Sequence, residues 1–115
     1  MTSDLITLKP QALQLDQNPA AVYLAGLGSE VSRRTMLGAL QVIAGLLSGG
    51  RTDWAGIDWA SLRFQHVAAI RAKLADTYSA ATANKMLSAL RGVLKAAYQL
   101  GQSPAEEYHR AADID

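Results

Sequence analysis

Residues 79–101 constrain the fold more than any other stretch of this chain. Placed at helical steps of about 100° per residue, Ala83, Met86, Leu87, Leu90, Val93, Leu94 and Ala97 fall on one side. Asn84, Ser88, Arg91 and Lys95 share a narrow stripe opposite, with Lys85 at its flank. Ser79 has the right chemistry to cap the helix start and Gly101 to end it. The spacing therefore predicts a helix over about 80–100 with one face wholly apolar. Such a face is stable only against other helices or a sheet.

The remaining segments supply helices. Asn18-Pro19 reads as a cap followed by a first helical residue, opening a short helix through Leu27, with Val22, Tyr23 and Leu27 inward. Ser32 is the expected cap of a second helix whose buried side carries Leu37, Leu40, Ala44 and Leu47, with Met36 and Ile43 beside them. Gly38 and Gly45, seven residues apart, are expected to let a neighbouring helix approach. After Ser48-Gly49-Gly50, an irregular connector over 49–62 holds Trp54, Ile57, Trp59 and Leu62, all expected against the core. A third helix follows at about 63–76, with Phe64, Val67, Ile70 and Leu74 inward, and Pro104 starts a last short one to about Ala111. No alternating strand pattern and no internal repeat is visible. The expectation is an all-α fold, a compact bundle of four to five helices.

The chain's 115 residues, half of them apolar, suffice for one core. Without cysteine, neither a disulfide framework nor a thiolate metal site can form. The longest apolar run falls well short of the roughly 20 residues that span a bilayer. Met1 to Lys9 lacks the basic start and apolar block of a signal peptide. A soluble cytoplasmic domain is expected.

The net charge of +1 hides a pattern. Residues 1–30 carry Asp4, Asp16 and Glu30 against Lys9, and residues 104–115 carry Glu106, Glu107, Asp113 and Asp115 against Arg110. Between them, residues 31–103 hold nine basic side chains against Asp53, Asp58 and Asp76. A basic body between acidic ends suits a polyanionic partner if the cations share a face.

Residue sets for catalysis are missing. His66 and His109 form no H-x-x-x-H pair, and Gly26-x-Gly28 lacks the strand and third glycine of a dinucleotide loop. Glu106 and Glu107 are adjacent and so point to different helix faces. Two basic constellations remain. Ser32-Arg33-Arg34-Thr35 at a helix start offers free amides, a positive dipole end and two guanidiniums to a phosphate, or is simply a capped helix with solvated arginines. Asn84, Ser88, Arg91 and Lys95, with Thr82 and Lys85 near the helix start, suit a helix laid in a DNA major groove. The same stripe also fits the plain polar side of an amphipathic helix. Against that, residues 77–103 contain no acidic side chain, whereas a merely solvated helix mixes signs. Trp54 and Trp59 have no interleaved basic residues and are expected to complete the core. Arg51 and Arg63 read as ordinary surface charge or as an outer phosphate rim.

The segment from Tyr78 to Gly101, with Thr82-x-Asn84, Leu87-x-Ala89-Leu90-Arg91 and Leu100-Gly101, resembles the last long helix of the core-binding domain of tyrosine recombinases, the phage-integrase family. Asn18-Pro19 with its Tyr-Leu helix, Ser32-Arg33-Arg34-Thr35, and Asp58-Trp59 before the third helix are similar to it as well, in the same order and spacing. The resemblance covers about residues 18–103. It implies a SAM-like helical bundle forming half of a C-shaped clamp on duplex DNA, with the second and fourth helices facing the DNA. Arg33, Arg34, Thr35, Thr82, Asn84, Lys85, Ser88, Arg91 and Lys95 would then lie at the interface. The family's catalytic arginines, histidine and tyrosine belong to a separate domain, and no matching set is present here.

The expected organisation is thus an irregular segment over 1–17, a DNA-binding helical domain over 18–103, and a short helix over 104–115 opening a linker to a catalytic domain. The expected function is a non-catalytic DNA-binding module of a prokaryotic or phage-derived site-specific recombinase, associated with the nucleoid when on DNA. Its partners would be double-stranded DNA and other protomers of the recombinase, with no cofactor, metal, membrane or small-molecule substrate. The alternative is a helical protein–protein interaction module whose basic face is incidental.

Overall fold

The computed structural model describes residues 15–113, which form a bundle of five α-helices with no strand among them. The helices are α1 (Pro19–Ala25), α2 (Glu30–Ser48), α3 (Phe64–Thr77), α4 (Ala80–Gln99) and α5 (Ala105–Ala112). Short 3₁₀ turns stand at Leu15–Gln17, Trp54–Gly56 and Trp59–Ser61. The expected irregular segment overlaps this region only at its end, and residues 1–14 lie outside the described part. No helix among the described residues is long and apolar enough to cross a membrane.

α4 is the hub, packing against all four other helices and the Trp59 turn. Its seven expected inward residues are all buried, and so are Ala89 and Ala96. They meet Leu40 and Ile43 of α2, Val67, Ile70 and Leu74 of α3, and Trp59 and Leu62 of the connector. Trp59 is sealed in the core, where its indole Nε1 donates to the Trp54 carbonyl at 2.9 Å. Trp54 and Ile57 pack at the margin of the core. At the head of α1, Asn18 Oδ1 accepts from the Ala20 and Ala21 amides at 2.9 and 3.4 Å, with Pro19 in the first turn. Its buried amide also donates to Ala55, tying α1 to the connector.

Several expectations need correction. α1 stops at Ala25, and its fully buried residues are Pro19 and Ala20, with Val22, Tyr23 and Leu27 only half-buried. Phe64 is 44% exposed, because the buried line through Val67, Ile70 and Leu74 leaves the first residue of α3 about a quarter turn to one side. Gly38 and Gly45 admit no neighbour: a β-carbon on either would meet open space. The buried side of α2 runs through Ala39, Leu40, Ile43 and Ala44, and the two glycines lie away from it. Close approach occurs on α4 instead, at Gly92.

Candidate nucleic-acid interface

The cap of α2 is Ser29, not Ser32. Ser29 Oγ accepts the Ser32 amide at 3.0 Å, and the helix begins at Glu30. α4 begins in the same way, with Ser79 Oγ accepting the Thr82 amide at 3.2 Å. Each capping hydroxyl also lies 3.1 Å from a hydroxyl three residues on, that of Ser32 or Thr82. The shift matters for chemistry. Arg33, Arg34 and Thr35 sit one turn inside α2, where backbone amides belong to the helical ladder. The expected grip by free amides is therefore lost, and these residues can reach a phosphate only through their side chains.

Three successive residues on a helix diverge by about 100° each, so Arg33, Arg34 and Thr35 do not all share one face. Thr35 turns toward α4. With Val42, Tyr78, Thr82, Lys85 and Met86 it lines a groove of about 240 Å³ between the two helices. Arg33 and Arg34 open on a different hollow, of about 300 Å³, beside Leu24, Leu37 and Trp54. Arg33 Nη1 donates to the Leu27 carbonyl at 2.8 Å, and Arg34 lies 3.6 Å from the Glu30 carboxylate in an exposed pair.

The α4 stripe is mostly open. Thr82, Asn84, Lys85, Ser88 and Lys95 are exposed, and neither lysine makes an ion pair among the described residues. Ser88 Oγ donates back to the Asn84 carbonyl at 3.1 Å, which leaves its oxygen free to accept. Arg91 is half-buried and already engaged within the protein.

The other singled-out groups have local tasks. His66 Nδ1 accepts the Arg63 amide at 2.9 Å and so caps α3. Arg51 Nε donates to the Ser48 carbonyl at the end of α2. Arg63 lies 3.6 Å from Glu107, which joins α5 to the start of α3. Two features escaped the sequence reading. Trp54 shares its hollow with two arginines that are 20 and 21 residues away in sequence, so no spacing along the chain announces it. Tyr98 and Tyr108 stack with ring centroids 4.8 Å apart, a contact between α4 and α5 that periodicity within either helix does not show.

No protein-family model, curated protein or solved structure matches this chain.

Proposed function

We propose that this chain is a duplex-DNA-binding module of the tyrosine-recombinase type, gripping DNA as half of a clamp and presenting it to a separate catalytic domain. One observation carries the reading. α2 and α4 lean together so that Thr35, Thr82 and Lys85 line one groove. From it the exposed Asn84, Ser88 and Lys95 continue along a helix without a single acidic residue. In this reading the threonine hydroxyls and Lys85 take phosphates and set the register. Asn84 and Ser88 approach base edges, where an Asn amide matches adenine, and Arg91, held within the protein, adds positive charge behind them. Lys95 takes a phosphate further along, and Arg33 and Arg34 add positive potential at the flank. The protein would work at the nucleoid of a prokaryotic cytoplasm, beside other protomers of its recombinase.

Fluorescence anisotropy on a random-sequence duplex at several salt concentrations tests this. Neutralising about five phosphates gives a slope of log K against log salt of about −4 to −5. Lys85→Ala/Lys95→Ala should flatten that slope by about 1.8, and Lys73→Ala, on α3, should leave it unchanged. Identical slopes in all three proteins, or no binding at low salt, would overturn the proposal.

A second reading, a protein-interaction module, has one observation behind it. Leu46 is 40% exposed at the edge of a hollow of about 290 Å³ that also involves Leu47 and Ile70.

A further inference from the structure

We infer that the hollow between α1, the start of α2 and the Trp54 turn binds a flat ring carrying a phosphate, as a free nucleotide or as one unpaired nucleotide of a DNA strand. Its volume of about 300 Å³ lies at the lower end of small-ligand clefts. The walls are apolar, from Leu24, Leu37 and Trp54, all half-buried. The charged lining is Arg33, Arg34 and Glu30, which sums to a net positive site.

The parts are held ready. Trp54 sits on a fixed backbone: its amide donates to Gln41 Oε1 at 2.9 Å, its carbonyl accepts the Trp59 indole, and Asp53 caps the turn through the Ala55 amide. Arg33 is anchored by one donor to Leu27, and a guanidinium has four more N–H groups to offer. The Arg34–Glu30 pair is exposed at 3.6 Å, the kind of contact that holds little energy, so an incoming phosphate can displace it. A ring against an aromatic wall with a phosphate at neighbouring arginines is how unpaired nucleotides are commonly bound. The hollow between α2 and α3 has Lys73 and His66 but no Tyr, Trp or Phe wall. The choice of a nucleotide among flat anions rests on the DNA reading above; the hollow itself does not.

Trp54 provides the readout, because Trp59 is only 1% exposed and gives a constant background. The full chain is titrated with deoxyadenosine monophosphate, with inorganic phosphate, and with duplexes that are either blunt or carry one unpaired nucleotide. Saturable quenching by the mononucleotide is expected, about tenfold tighter than any effect of phosphate. Arg33→Ala/Arg34→Ala should abolish it and Lys73→Ala should keep it. If the double variant loses helical circular dichroism, Arg34→Gln replaces it, since that side chain is exposed. Quenching by the unpaired-nucleotide duplex alone assigns the hollow to a DNA strand, and quenching by the mononucleotide as well extends it to free nucleotides. Absence of both, or phosphate acting as strongly as the nucleotide, overturns the inference. Blunt-duplex anisotropy on the same samples keeps the two proposals apart. Mononucleotide binding without blunt-duplex binding would sink the clamp and leave the hollow, and blunt-duplex binding with no quenching by either the mononucleotide or the unpaired-nucleotide duplex would sink the hollow alone.

Discussion

The ring of Tyr23 lies directly over Gly92, where an added β-carbon would overlap it. Gly92 stands between Ala89 and Ala96, three and four residues away on the side of α4 that α1 crosses. Small residues there bring an aromatic ring of α1 onto the backbone of α4. Glycine in a helix costs about 0.5–1 kcal/mol relative to alanine, and packing offsets that cost here. Gly92→Ala should nonetheless destabilise the fold by about 1 kcal/mol, the overpacking strain exceeding the recovered helix propensity. The urea midpoint at unchanged m-value measures this. A more stable variant would mean that the ring swings aside at no cost.

Gly38 and Gly45 give the opposite expectation. Nothing lies within 4 Å of a β-carbon at either position, so alanine adds helix propensity without strain. Gly38→Ala and Gly45→Ala should each stabilise by about 0.5–1 kcal/mol. Thermal unfolding of both beside Gly92→Ala would show one substitution acting in two directions.

The contrast marks what could be read from sequence. α4 was legible because one face of a 20-residue helix is buried from end to end, so its period survives intact. The start of α1 was legible because Asn18 and Pro19 act locally. The role of a helical glycine was not, since periodicity says which side faces inward but not where a neighbour crosses. The head of α2 failed for a similar reason. Ser29 and Ser32 are both competent caps, and what helps fix the choice is the Arg33 link back to Leu27. Of the candidate site, the α4 stripe was readable, and its junction with Thr35 was not, because that depends on how α2 leans on α4.

Cap substitutions separate the two serines. Ser29→Ala and Ser79→Ala each remove the acceptor of a helix-start amide and should each cost about 1 kcal/mol. Ser32→Ala removes only a hydroxyl-to-hydroxyl contact on an exposed surface and should cost a few tenths, roughly the level of an ordinary surface change. Chemical denaturation of the three variants decides it. A larger loss at Ser32 than at Ser29 would restore the later helix start.

Burial holds the Tyr23 phenol above its usual 10.0. In the unfolded chain it ionises near that value, and in the folded chain only at higher pH, so the unfolded state loses its proton first. The stability it contributes is full below pH 10, falls as pH rises beyond it, and stops falling once the folded phenol ionises. Tyr23→Phe keeps the ring against Gly92 and removes the titration. The difference between wild type and variant in urea midpoint should be flat to about pH 10 and then change in the variant's favour. A flat difference throughout would mean that the phenol is solvated in the folded protein.

Glu30 tests how the head of α2 meets a polyanion. It occupies the first helical turn, where its charge favours the helix dipole, and it sits 3.6 Å from Arg34. On DNA the same carboxylate opposes phosphates and offsets one of the two arginines. Glu30→Gln should therefore lower stability by a few tenths of a kcal/mol, roughly a surface dipole effect. Duplex binding should instead tighten by about two- to fivefold at low salt, with the gain fading as screening sets in. Two assays on one protein thus move in opposite directions. Unchanged affinity at every salt concentration would remove the head of α2 from the interface and leave the α4 ridge as the whole of it.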